Sequence, residues 1–274
     1  RHRIAGHNGD VLGGIGCLHR SLCWAWHRRK RGCMSQDLLD RALGYPYPLP
    51  NASFVIDKGE VFPLHADDAP RRREGRTPVL AVGSNQSPQQ IARKFPDPSW
   101  SEIPCERCVI HDFDTVFSAH ITAYGSVPAA LHPCPGTSVT LYVNWLDDAQ
   151  LGHMHKTELG HANYVYARLN GIRLVTELGL EMDSVQFYRS NAGAYAPNGT
   201  PVPLAEVTAQ NRRWTGMTQR DVQADVHQRT AADHEFEAYI LSSIEDATMR
   251  RQRINAISQG AHPFDHADME ILLS

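Results

Sequence analysis

Residues 79–95 set a glycine turn, Gly83-Ser84-Asn85, between the apolar run Val79–Val82 and a helical pattern opening at Ser87-Pro88. Ser87 reads as the N-cap, Pro88 as the first helical residue, and Gln90 falls three places after the cap. A turn at the positive end of a helix leaves backbone N–H groups free to hold a carboxylate or phosphate. The same pattern also serves simply to change chain direction. It lacks the second glycine of a dinucleotide loop and the Gly-Lys-Ser/Thr of a nucleotide-binding loop. A second candidate is Glu158, which follows His153 and His155 and precedes His161. On position alone it is a solvated carboxylate at a helix end. Its flanks, Leu159-Gly160 and an apolar strand, also suit a partly buried acid/base. The histidines do not reproduce His-Glu-x-x-His, and Cys105, Cys108 and His111 lack a second paired knuckle, so no metal is expected. Arg212-Arg213 beside Trp214 reads as a solvated pair, or alternatively as a carboxylate clamp.

The elements that must position these groups form an α+β pattern. Residues 34–44 read as a helix broken by Pro46, Pro48 and Pro50, and 53–56 with 60–62 as a hairpin. Residues 65–77 read as an exposed linker. Strands are expected over 108–124, 127–131, 139–146, 163–169, 174–175 and 185–188, with a helix over 147–157. After a Gly/Pro/Asn-rich loop at 190–202, helices are expected over 221–228 and, as one long element, 232–258. In that last helix Phe236, Tyr239, Ile240, Ile244 and Ala247 form the packed face, and Arg250, Arg251 and Arg253 complement its C-terminal dipole. Short strands with inserted helices argue a curved or barrel-like mixed sheet.

The chain has 274 residues, 42% of them hydrophobic, enough for one substantial core. A net charge of −3 excludes a strongly basic nucleic-acid binder. Seven basic residues against Asp10 alone give residues 1–33 a net +6, so the remainder carries −9. That first segment lacks periodicity and holds four histidines and three of the six cysteines. It is expected to be a leader or an upstream extension before an initiator at Met34, with a transit peptide as the alternative. No apolar stretch is long enough to span a bilayer, and a cytoplasmic location is expected.

Four motifs then recur in order: Gly83-Ser84-Asn85; Tyr124-Gly125-Ser126 through Leu131; Pro135-Gly136 before the strand Val139–Trp145; and Leu151–Gly160, a helix end leading into Tyr164-Val165-Tyr166. In order and spacing this resembles the γ-glutamylcyclotransferase-like family across residues 79–190. The resemblance implies a barrel-like mixed sheet with flanking helices, here with an added C-terminal helical extension over 191–274 and an N-terminal helix, hairpin and linker over 34–78. It implies that Gly83, Ser84 and Asn85, with Val82, bind a substrate carboxylate, that Glu158 is the general acid/base, and that Tyr164 lines the pocket. Val82 stands where the family has a loop tyrosine, and Thr140-Leu141-Tyr142 where it has a glycine. The expected activity is C–N cleavage or acyl transfer on a small-molecule γ-glutamyl-type amide, with no cofactor, metal, nucleic acid or membrane as partner. The alternatives are a non-catalytic binding or interaction protein of the same fold, and an amide hydrolase using water.

Overall fold

Alternation of apolar side chains builds, among the described residues, a single nine-stranded sheet. The computed structural model describes residues 34–160 and 163–274, so residues 1–33, expected to be a leader or upstream extension, and His161 lie outside the described residues. The strands are β1 (Phe54–Asp57), β2 (Glu60–Pro63), β3 (Thr77–Ala81), β4 (Ile103–Phe117), β5 (Ala129–Leu146), β6 (Tyr164–Thr176), β7 (Glu181–Ser190), β8 (Ala209–Gln210) and β9 (Met269–Leu273). They run in the order β2-β1-β4-β5-β3-β7-β6-β9, with β8 on β5. A further pairing of β4 with β6 closes β4-β5-β3-β7-β6 into a five-stranded barrel. Only β3 and β7 are parallel among its pairs. The architecture is therefore α+β, a closed barrel-like mixed sheet with flanking helices.

The helices are α1 (34–43), α2 (Ala69–Arg73), α3 (Pro88–Lys94), α4 (Asp148–Glu158), α5 (Gln219–Thr230), α6 (Phe236–Glu245) and α7 (Ala247–Ile257). One core unites Ile110, Leu141, Val143, Leu169 and Phe187 with Leu39 and Ala42 of α1 and with Val222, Tyr239 and Ile257 of the C-terminal helices. A second core seats Ile91 of α3 and Met154 of α4 against Val79, Cys105, Tyr142 and Tyr166. Among the described residues no helix is long and apolar enough to cross a membrane.

Three sequence expectations are corrected. The strands expected at 127–131 and 139–146 are one, β5, running through Pro133-Cys134-Pro135-Gly136. The prolines fall where the β4–β5 register shifts, and Asp112 Oδ1 accepts the Gly136 N–H there at 2.8 Å. At such an interruption the missing proline N–H costs no ladder bond. The expected linker 65–77 contains α2 and is docked. Arg73 of α2 grips the fully buried carboxylate of Glu106 on β4 with two hydrogen bonds, and Arg72 pairs with Glu102. A buried carboxylate requires such a partner.

The helix expected at 232–258 is two. Asp246 breaks it by accepting from Thr248 N–H at 2.8 Å and Met249 N–H at 3.0 Å, which caps α7. The arginines do not complement one long helix. Arg250 donates to the Ser243 and Ile244 carbonyls at the end of α6, and Arg253 is buried over the Tyr239 ring.

Candidate functional site

β3 delivers the chain to Val82 and Gly83, and a 3-10 turn over Ser84–Gln86 turns it into α3. The Gln86 and Ser87 N–H groups close that turn on the Gly83 and Ser84 carbonyls, and the Gln86 side chain donates to the Val82 carbonyl at 2.8 Å. Ser87 occupies the N-cap position of α3 but its side chain makes no capping bond.

The glycine at 83 answers to a neighbour rather than to its backbone angle, since its φ is −118°. A Cβ there would stand 2.1 Å from the Tyr45 hydroxyl oxygen. Tyr45, just beyond α1, accepts the Ala129 N–H at 2.8 Å and also lies against the Ser84 backbone. Burial, with Tyr124 and Tyr164 nearby, pushes its phenol well above the usual tyrosine range, so the group stays neutral. The cradle expected from sequence is thus partly filled by a phenol from the N-terminal segment.

Glu158 is the last residue of α4, a helix opened by a reciprocal capping box between Asp147 and Gln150. Its Oε1 accepts from Asn85 Nδ2 at 2.9 Å and is ion-paired with Lys94 at the end of α3. His153 Nε2 contacts the Lys94 carbonyl at 2.8 Å and so ties α4 to that helix end. The sequence placed Glu158 in an apolar surround. The structure adds a half-buried cation beside it, 13% exposed against 15% for Glu158 itself. Both donors converge on Oε1, and no described residue donates to Oε2. Burial first, and the Glu158 charge second, raise the Tyr164 and Tyr188 phenols, while burial, Tyr47 and Glu158 in that order raise Tyr124. Three neutral hydroxyls therefore share the cavity with the carboxylate, that of Tyr188 paired with His155.

Val82, Gly83, Ser84, Asn85, Glu158 and Tyr164 all line one cavity of about 780 Å³. The structure thus brings together every site residue expected from sequence. The other candidates lie elsewhere. Cys105 and Cys108 are packed in different cores, as their odd spacing on a strand demands, and His111 contacts Ser138 Oγ. His155 meets the Tyr188 hydroxyl at 2.9 Å. Among the described residues no group of three or more His, Cys, Asp or Glu is placed to hold a metal. Arg212 is neither solvated nor a ligand clamp, because it forms a two-pronged pair with buried Asp114, while Arg213 lies over Trp214.

Lys94, Tyr45, His120, Arg250 and Arg251 also belong to the cavity wall and were not singled out from sequence as site residues. The four positions Ala247, Arg250, Arg251 and Ile254 follow helical spacing and put one face of α7 on the cavity. His120 is pushed down to about 4 by burial and then by the Arg250 charge, and His132 to about 4 by burial and then by His262. Both rings stay neutral in the folded protein while the unfolded chain takes up protons below about pH 6.5. Stability is therefore expected to fall as pH drops from about 6.5 toward 4, by on the order of 2 kcal/mol per ring. Melting temperatures across that window check this. A His120→Asn/His132→Asn variant should lose a large part of the slope, and an unchanged slope would refute the assignment.

No protein-family model and no curated protein matches this chain. Similar solved structures include a γ-glutamyl cyclotransferase, 16% identical over 70% of this chain and 91% of that one, with a TM-score of 0.34. An uncharacterized protein from Homo sapiens is 20% identical over 43% of this chain and 68% of its own, with a TM-score of 0.34. YkqA from Bacillus subtilis is 9% identical over 72% of each chain, with a TM-score of 0.35.

Proposed function

We propose that this protein cleaves the C–N bond of a small γ-glutamyl-type amide by internal cyclisation. The observation that carries the reading is the shared cavity, in which Asn85 of the turn and Glu158 of α4 are hydrogen-bonded to each other. The backbone of residues 83–85 holds the substrate α-carboxylate. Asn85 Oδ1, buried and without a hydrogen-bond partner among the described residues, accepts from the substrate α-amine. That amine attacks the side-chain carbonyl carbon, and Glu158 Oε2 takes its proton. When the tetrahedral centre collapses, the same proton passes to the departing amine nitrogen, giving 5-oxoproline and a free amine. Closing a five-membered ring within one molecule supplies much of the rate, and no cofactor is required for a proton transfer.

A second reading, a binding protein of this fold, is favoured by one observation. The Lys94 ion pair engages Oε1 of the Glu158 carboxylate. The two readings separate when the full chain is incubated with γ-glutamyl dipeptides and γ-glutamyl amines in EDTA. Release of 5-oxoproline is the expected result, whereas free glutamate would assign the pocket to hydrolysis by water. Thermal stabilisation with no product would leave only binding, and neither product nor stabilisation would overturn both.

A further inference from the structure

Among the described residues, the charged ones lining the cavity are Lys94, Arg250, Arg251 and Glu158, a balance of +2 inside a chain whose net charge is −3. Lys94 is spent on Glu158, and Arg250 on the last carbonyls of α6. Arg251 is different: it is exposed, lines the same cavity, and has no ion pair or hydrogen bond among the described residues. α7 is held in place by the Asp246 cap and by buried Arg253, which donates to the Tyr239 carbonyl at 2.9 Å. The free guanidinium therefore hangs from a fixed helix face rather than from a loose end.

With the α-carboxylate on the 83–85 turn and the scissile nitrogen at Glu158, the wall left for the amine substituent includes α7 and His120. A cation that no described residue neutralises, at the edge of a cavity, favours an anionic group there. We infer that Arg251 is a specificity-determining residue, selecting amides whose amine half carries a carboxylate. This rests on the cleavage reading above. The selection comes from α7, in the helical extension beyond the segment that carries the four motifs.

The test uses γ-glutamyl-alanine and γ-glutamyl-alaninamide, which differ only in a distal carboxylate or its neutral amide. The unaltered 274-residue chain is expected to favour the carboxylate by about tenfold in kcat/KM, the scale of one charge-assisted contact. The preference should shrink as salt rises. Arg251→Gln should bring the two compounds near parity by lowering kcat/KM for the carboxylate alone, and Arg251→Lys should keep part of the preference. Because Arg251 is exposed, folding is not at stake in either variant. Equal turnover of both compounds by the unaltered protein would overturn the inference and leave cleavage standing. If neither is turned over, cleavage falls. The selection then stands only if calorimetry shows tighter binding of the carboxylate that Arg251→Gln abolishes, and falls if the two bind alike.

Discussion

Glu158→Gln is expected to lower turnover of a γ-glutamyl dipeptide by at least ~10²-fold, the low end of what a positioned acid/base contributes. The amide keeps the shape of the carboxylate but cannot carry the proton between the attacking and departing nitrogens. The structure adds a complication, because Glu158 is also the counter-ion of Lys94, which is only 13% exposed. Removing one partner of such a pair leaves a poorly solvated charge, with a cost of about 1–3 kcal/mol. The variant should therefore melt somewhat lower, which mixes a loss of structure with the loss of the base. Lys94→Met separates the two effects. It removes the ion pair while leaving the base, so measurable turnover should survive. Combining it with Glu158→Gln should recover the melting temperature without recovering turnover. Steady-state kinetics and thermal melts on the three variants decide the matter. Glu158→Gln turnover within tenfold of the unaltered protein would reduce Glu158 to a structural ion pair.

How much of this was legible in the sequence depends on how local each signal was. The turn at Gly83, the helix opened by Asp147 and the Glu158 end of that helix are read from neighbouring residues, and the structure places them where the motifs imply. The break at Asp246 was equally local, yet the apolar stripe from Phe236 to Ala247 continues across it and masks the cap. The continuity of β5 through Pro133-Cys134-Pro135-Gly136 is not legible locally, because nothing nearby announces that Asp112 on another strand will staple the bulge. The partners of the site residues are the least legible. Lys94 lies 64 residues from Glu158, and Tyr45 lies 84 from Ala129, so only the closed barrel brings them together. Long-range ion pairs and close contacts leave no periodic trace in a single chain.

The contact at Gly83 makes the other large prediction. Since a Cβ would sit 2.1 Å from the Tyr45 hydroxyl oxygen, Gly83→Ala forces the phenol out of a buried position. The Ala129 N–H then loses its acceptor in a region with little water to replace it. Overpacking together with an orphaned donor should cost about 3 kcal/mol, or roughly 6–12 °C in melting temperature. Gly83 thus bears on folding at least as much as on ligand binding. Tyr45→Phe removes the clashing oxygen, and the ring carbon behind it is 3.2 Å from the added Cβ, which a small shift accommodates. Tyr45→Phe alone should be mildly destabilising, because the same amide is stranded. The double variant should then be more stable than the sum of the single effects by about 1–2 kcal/mol, the signature of a direct contact. Denaturant melts of the four proteins measure that coupling. Strict additivity, or a Gly83→Ala protein as stable as the original, would show that Tyr45 does not set the glycine at this position and would return its cause to the ligand.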